Sequence, residues 1–218
     1  MRKLFLATAR EQSRLEEIAN SVSHGLGLVG ALTGTPFLIM QAAQHGNSAL
    51  IIGASLFSIA MVLLYFLSTL YHALPIGKAK RVFRTFEQAA IFIFIASTYT
   101  PFTLGVLQGA LGWTLLGLIW GLAMIGVALL LFDKMSHLII PTSLYLLMGW
   151  LIVIAFEPLF AKVPQFGVQL LIAGGVAYTV GVAFLAVDSH LRFGHLIWHL
   201  CVIAGTTCHY FAVLWYAV

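Results

Sequence analysis

Long apolar runs separated by short polar segments set the pattern of this chain. Seven of the runs are long enough to cross the roughly 30 Å hydrocarbon core of a bilayer as helices. They cover about residues 24–43, 48–71, 86–106, 110–132, 138–156, 166–187 and 194–218. Pro36 and Pro101 fall inside the first and third runs, where packed membrane helices tolerate a kink. The pattern predicts an all-α integral membrane protein built as a seven-transmembrane helix bundle.

Composition supports this class. Hydrophobic residues make up 61% of the 218 positions and charged residues only 8%, whereas soluble domains carry roughly 25% charged residues. The net charge of +4 comes from cations in loops and in the N-terminal segment, so it does not indicate nucleic-acid binding. With no linker or repeat visible, residues 1–218 are expected to form a single domain, in which residues 1–23 are a cytoplasmic N-terminal segment. We predict a multi-pass protein of the inner (plasma) membrane.

The lysines and arginines predict an orientation. Ten of the eleven lie in the N-terminal segment or in the loops after spans two, four and six, and only Lys162 lies on the other side. Because cytoplasmic loops carry an excess of these residues, the N-terminus is predicted to be cytoplasmic and the C-terminus external.

The last apolar run carries three histidines. At 100° per residue, His195, His199 and His209 share one stripe of the helix. Ionisable groups within a membrane span are costly and by default mark a functional site. The spacing of His195 and His199 lets both imidazoles reach one metal ion.

Other polar groups are predicted to reach the same leaflet. His72 ends span two, with Ser68 one turn before it on the same face, and Glu87 is placed in the first turn of span three. The predicted orientation puts these helix ends and the start of span seven on the cytoplasmic side. We therefore expect His72, His195 and His199 to bind a metal ion, with Glu87 and Ser68 beside it.

The chemistry of this set favours Zn2+. Three histidines with one open position form a catalytic zinc site, which lowers the pKa of its water from 15.7 towards about 7. Glu87 could then act as general base or as a metal ligand. Ser68 could hydrogen-bond the water or a developing oxyanion.

Structural alternatives stay open for several of these residues. Glu87 could be a helix-start acid favoured by the dipole or a partner for Arg84, and the Ser68 hydroxyl could bond the carbonyl four residues earlier. His209 lies about 21 Å along the axis from His195, too far for the same metal, and is a core or second polar site. Three residues that precede span one share one helical face and could merely cap and anchor that span. They are Glu17, Asn20 and His24. No functional signal attaches to His45, His137 and His190, or to the thiols of Cys201 and Cys208.

Four motifs together resemble a known family. They are Glu17-Ile18-Ala19-Asn20 with Ser23-His24-Gly25, then Ser68-x-x-Tyr71-His72, the segment Ile95 to Phe102, and His195-x-x-Trp198-His199. In this order they resemble bacterial members of the haemolysin III branch of the progestin and adipoQ receptor family. The resemblance implies a zinc ion near the cytoplasmic face, with His72, His195 and His199 as ligands and Ser68 beside them. The family usually has aspartate at the position of Glu87, whose extra methylene moves the carboxylate by about 1.5 Å.

The resemblance also implies a function. Adiponectin receptors and alkaline ceramidases share this site plan and are associated with hydrolysis of sphingolipid-like amides, and bacterial relatives are linked to membrane-fluidity homeostasis. The resemblance therefore implies a zinc-dependent hydrolase of a lipid amide or ester bond, with membrane lipid as substrate or ligand and no nucleic-acid partner. One alternative is a non-enzymatic lipid-state sensor with structural zinc. Another is a pore-forming or ion-conducting protein using His24, His209 and Glu87. The oligomeric state is not predicted.

Overall fold

The computed structural model describes residues 10–45, 47–132 and 139–217. Across these ranges the regular structure is helical, without a β-strand, and seven helical segments are long and apolar enough to cross a membrane. The predicted seven-helix, all-α fold is thus confirmed, while the orientation of the termini stays a prediction. Outside the described residues lie Arg2, Lys3, Lys134, His137 and Val218, on which part of the sequence interpretation rests.

The helices are named here in chain order. Their bounds are α1 Arg14–Gln44, α2 Ser48–Ala73, α3 Lys78–Pro101, α4 Gly109–Leu131, α5 Ile139–Trp150, α6 Phe156–Lys162, α7 Gln165–Val187 and α8 Gly194–Tyr216. A π-helical segment, Phe102–Leu107, extends α3. The fifth span consists of α5 and α6, and α7 and α8 are the sixth and seventh spans.

Two helices begin earlier than the apolar runs predict. Helix α1 starts at Arg14 because Ser13 and Glu16 form a capping box, in which each side chain bonds the other residue's backbone N–H. Helix α3 starts at Lys78, so Glu87 lies in its third turn rather than its first. The dipole effect fades within the first turn, and the interpretation of Glu87 as a helix-start acid is therefore wrong.

The fifth span, predicted as one helix, is broken in the middle. A 3-10 turn, Leu151–Ala155, separates α5 from α6. The hydroxyl of Tyr99 on α3 lies at this break, where its single proton is shared between the carbonyls of Met148 and Gly149, at 2.7 and 2.8 Å. It also accepts the backbone N–H of Ile152 at 3.0 Å. Because the bilayer core offers no water to unpaired backbone groups, this side chain makes the break tolerable.

Helix packing brings one set of helix ends together. Helix α8 packs along α7 and also contacts α1, while α1 packs on α2 and α2 on α3. Successive antiparallel helices therefore place the starts of α1, α3 and α8 next to the end of α2. The polar residues described next come from these four helix ends.

Candidate metal centre

Four side chains from three helices meet at this end of the bundle. His72 comes from the last turn of α2, Glu87 from α3, and His195 and His199 from the first turns of α8. One potential ligand atom from each lies within 4.8 Å of the others. The three imidazole rings are 4.7 to 5.0 Å apart, centroid to centroid. This group, called here the metal centre, could hold one metal ion.

Acidic side chains lie within hydrogen-bonding distance of the Nδ1 atoms of two of the histidines. The Nδ1 atom of His72 lies 2.8 Å from Glu17 Oε2, and that of His195 lies 2.8 Å from Asp188 Oδ2. A carboxylate accepts a hydrogen bond, so the proton of each neutral ring is assigned to Nδ1. The Nε2 lone pair is then free to bind a metal, as in the carboxylate–histidine pairs around zinc.

The third histidine is held by the backbone of α1. His199 Nδ1 lies 3.2 Å from the carbonyl oxygen of Asn20 and 3.1 Å from Ser23 Oγ. The Ser23 hydroxyl already donates to that same carbonyl at 2.8 Å. His199 Nδ1 therefore donates to the Asn20 carbonyl. The lone pair of this ring lies on Nε2, as it does in His72 and His195.

The converging Nε2 atoms fit a metal. Those of His72, His195 and His199 are all buried and have no hydrogen-bond partner among the described residues. A buried polar atom left unpaired costs about 1–3 kcal/mol. Three such lone pairs beside a carboxylate are the donor set that a cation of the zinc type requires. The residues present therefore fit the predicted kind of site.

The Ser68 hydroxyl donates to Glu87 Oε1 at 2.6 Å. A hydroxyl has one proton, so the alternative in which Ser68 bonds the carbonyl four residues earlier is wrong. The same Glu87 oxygen lies 3.7 Å from His72 Nε2. Glu87 thus lies next to His72, and Ser68 lies next to Glu87.

Residues at the start of α1 do more than cap it. Glu17 contacts a histidine of the metal centre and the Asn20 carbonyl contacts another, so the interpretation as cap and anchor alone is wrong. His24 is 3% exposed, and its ring stacks on that of His199 at 3.5 Å and 6°. It lies outside the group of four.

Sequence reasoning missed two contributors. Asp188, which holds His195, was not singled out, and Lys80 was counted only as a loop cation. The Lys80 ammonium donates to Glu17 Oε2 at 3.0 Å and to the Tyr71 carbonyl at 2.9 Å. A signal existed for Asp188. The chain has only seven acidic residues, and this one lies seven positions before His195, across a short loop.

An apolar cavity of about 260 Å³ adjoins the metal centre. Its lining includes His24 and Glu87 at one end and Leu159 and Val168 at the other, with α3, α5, α7 and α8 as its main walls. Two lining residues, Trp150 on α5 and Val176 on α7, are 57% and 54% exposed. The cavity thus reaches the outer surface of the bundle between these helices.

His209 lies beside this cavity rather than in the metal centre. Its Nε2 is 3.4 Å from the Leu171 carbonyl, and its ring meets that of Tyr178 edge to face at 5.2 Å. This agrees with the prediction that it is too far along α8 to share the metal. Cys201 and Cys208 are free thiols.

Comparison with known proteins gives consistent matches over most of the chain. The family described as "Haemolysin-III related" matches residues 12–210. Hemolysin-3 of Bacillus cereus is 39% identical over 203 residues, covering 93% of this chain and 92% of that protein. The hemolysin-3 homolog of Bacillus subtilis is 40% identical over 203 residues, with coverage of 93% and 95%. The human monocyte to macrophage differentiation factor is 27% identical over 210 residues, with coverage of 91% and 83%.

Proposed function

This chain belongs to the haemolysin-III-related family of membrane proteins, and we propose that it is a zinc-dependent hydrolase of a lipid amide or ester bond. One observation carries the proposal. Three unpartnered Nε2 atoms and a buried carboxylate lie at the end of an apolar cavity that reaches the outer surface of the bundle. Cleavage of a membrane lipid there would adjust membrane composition.

Zinc is proposed from the donor set. Three imidazole nitrogens suit zinc better than calcium or magnesium, which take oxygen ligands. His72, His195 and His199 would hold the ion. When bound by three histidines, zinc supplies Lewis acidity, which polarises a carbonyl and makes water acidic enough to react at neutral pH.

Glu87 is the proposed general base. Its Oε1 is close to His72 Nε2, so a proton acceptor lies next to the point where the three Nε2 atoms converge. Ser68 orients this carboxylate through the 2.6 Å hydrogen bond. To donate to the oxyanion that forms when a lipid carbonyl is attacked, the hydroxyl would have to release this bond and turn its single proton to the oxyanion.

The remaining polar residues hold this arrangement in place. Glu17 and Asp188 fix the tautomer and ring orientation of His72 and His195, so their Nε2 atoms stay directed at the centre. Lys80 neutralises Glu17 and bonds backbone carbonyls at the end of α2. These groups position the reaction without taking part in it.

The cavity suggests why the substrate is a lipid. Apart from a few polar groups, its lining consists of aliphatic and aromatic side chains, which suit an acyl chain. The acyl chain of the lipid would lie along α3 and α7, with the scissile bond at the end of the cavity near His24 and Glu87. Exposure of Trp150 and Val176 provides a route from the bilayer. We further propose that the protein resides in the inner membrane as one domain, with the metal centre on the cytoplasmic side.

A second function has one observation in its favour. Glu87 contributes an oxygen to the same group of four potential ligand atoms. Four protein ligands around zinc form a closed structural site with no open position. A lipid-state sensor with structural zinc would use the centre in that way.

Substitution of Glu87 separates the two functions. In purified protein, Glu87→Gln keeps the size and hydrogen bonding of the side chain but removes its basicity. A hydrolase should keep its zinc and lose about 10²- to 10⁴-fold in the rate of fatty-acid release from bacterial membrane lipid. Glu87→Asp restores a carboxylate and should stay within roughly tenfold of the wild-type rate.

The sensor gives a different pattern. If Glu87 completes a structural site, Glu87→Gln should lose metal and stability, and no lipid product should appear even with wild-type protein. A zinc-loaded Glu87→Gln protein that hydrolyses lipid as fast as wild type would exclude the assigned base.

A further inference from the structure

Glu16 is a buried carboxylate that the proposed reaction does not use. It is 2% exposed, although it lies in the first turn of α1. The Arg10 guanidinium donates to both of its oxygens, at 2.6 and 2.7 Å. The backbone N–H and hydroxyl of Ser13 bond Oε2 at 3.0 and 2.8 Å, and the backbone N–H of Phe193 bonds Oε1 at 2.8 Å.

These contacts join the segment before α1 to the loop between α7 and α8. The Arg10 backbone N–H bonds the Ser189 carbonyl at 3.3 Å, and its guanidinium reaches the Leu191 carbonyl at 3.4 Å. Hydrogen bonding to Glu16 raises the pKa of Arg10 above its ordinary value. The loop is thus attached at three points: residues 189 and 191 bond Arg10 before α1, and residue 193 bonds Glu16 in α1.

Phe193 needs such support. Its φ of 58° is in the left-handed region, which a residue with a Cβ rarely adopts. It is also the N-cap of α8 and makes no capping hydrogen bond with its side chain. The bond from its N–H to Glu16 therefore holds the turn that starts α8.

This turn controls a metal ligand. His195 lies two residues after Phe193, and its Nδ1 is held by Asp188, the first residue of the loop. Through its bond to Phe193, Glu16 fixes the loop between Asp188 and His195. Any shift of the loop would alter both the direction of α8 and the carboxylate that orients His195.

We propose that Glu16, held by Arg10, is a positioning residue for the metal centre that sets the first turn of α8. This rests on the metal site of the proposed function, but not on lipid hydrolysis. The simpler explanation is that Glu16 serves α1 alone, as the second half of its capping box. The two roles differ in the contacts to the loop, which are the hydrogen bond from Phe193 and the ion pair that holds Arg10 against it.

Glu16→Gln and Ser13→Ala separate these roles. Both weaken the cap of α1, but only Glu16→Gln changes the group that holds Phe193. In full-length purified protein we expect Glu16→Gln to lose bound zinc to a chelator about 10- to 100-fold faster than wild type. The absorption spectrum of the Co²⁺-substituted protein should shift, because the geometry of His195 changes. Ser13→Ala should keep both the rate and the spectrum.

A rescue variant makes the test stricter. Glycine adopts the left-handed conformation freely, so Phe193→Gly in the Glu16→Gln background should restore most of the wild-type spectrum and metal retention. Hydrogen–deuterium exchange across residues 189–197 should rise in Glu16→Gln, stay unchanged in Ser13→Ala and fall again in the double variant.

Three results would overturn the proposal: a wild-type spectrum and exchange pattern in Glu16→Gln, equal effects of Ser13→Ala and Glu16→Gln, or no rescue by Phe193→Gly. Failure of wild-type protein to hydrolyse lipid would count against the proposed function alone. Metal retention and hydrogen exchange are measured without substrate.

Discussion

The metal centre and the cavity beside it are built in opposite ways. In the metal centre, each histidine has a second partner on another element: Glu17, Asp188 or the Asn20 carbonyl. The cavity is mainly enclosed by apolar side chains, and some of its walls, such as Trp150, are exposed at the outer surface of the bundle. One region is defined by directional contacts, the other by shape and apolar surface.

This difference has a functional meaning. Hydrogen-bonded ligands keep their geometry within narrow limits, whereas apolar surface accepts chains of different length and saturation. Substitutions at the metal centre should therefore change metal binding and reaction, and substitutions in the cavity should change which lipid is used. The following predictions test that division, from the largest expected effect to the smallest.

Topology reporters that test on which side of the membrane the metal centre lies should give an all-or-none result. A reporter inserted near Lys80 should read as cytoplasmic, and one fused at Val218 as external, because ten of eleven cations lie on the predicted cytoplasmic side. A fusion near Lys162, which is predicted to be external like Val218, serves as the control for the cytoplasmic reporter near Lys80. Inverted readouts would place the metal centre outside and remove the basis for a cytoplasmic reaction.

Loss of one histidine ligand should remove nearly all of the metal. Purified wild-type protein should hold about one zinc per chain, and His195→Ala or His199→Ala should each lose most of it, as measured by metal analysis. Cys201→Ser on the same helix is the matched control and should keep full occupancy. Zinc retained in a His195/His199 double variant would show that the ion binds elsewhere.

The carboxylates behind the histidines should have a smaller effect. Asp188→Asn and Glu17→Gln keep the side-chain size but weaken the acceptor for Nδ1, and each should lower zinc affinity about 10- to 100-fold in a competition titration. Glu157→Gln, which removes an acid from the distant α6, should leave affinity unchanged. Equal affinity in all three variants would mean that the second partners do not position the ligands.

Filling the cavity should have the smallest effect and leave the metal alone. Gly175 lines the cavity and an added Cβ there would meet nothing within 4 Å. Gly175→Leu should reduce turnover of long-chain lipid roughly tenfold, with less effect on short chains, as expected for occupied apolar space. Gly30→Leu, which also has open space but lies away from the cavity, is the control. A change in metal content, or an equal loss for every chain length, would contradict the division between the two regions.

Much of this could be predicted from the sequence because the relevant signals extend over the whole chain. Apolar runs fix the number of spans, and the distribution of lysines and arginines assigns helix ends to a side. Together they led to the expectation that His72, Glu87, His195 and His199 meet, which is the arrangement found. The same reasoning still leaves open whether Glu87 binds metal or a proton.

What the sequence did not reveal depends on single side chains. The early start of α1 needs the Ser13–Glu16 capping box, which lies outside any apolar run. The role of Asp188 depends on the fold of a six-residue loop, and the break in the fifth span on Tyr99 from a different helix. The capping box and the Asp188 contact are short-range but follow no apolar period, and the Tyr99 contact joins residues 49 positions apart, so the patterns that define the spans do not report them.

The Tyr99 hydroxyl has a consequence for how the protein enters the membrane. At the break in the fifth span, the carbonyls of Met148 and Gly149 and the N–H of Ile152 bond a side chain from another helix, where the hydrocarbon would offer no partner. Chains are made from the N-terminus, so α3 is already available when this span leaves the ribosome. The break in the fifth span is thus completed by a side chain of a helix that is synthesised before it.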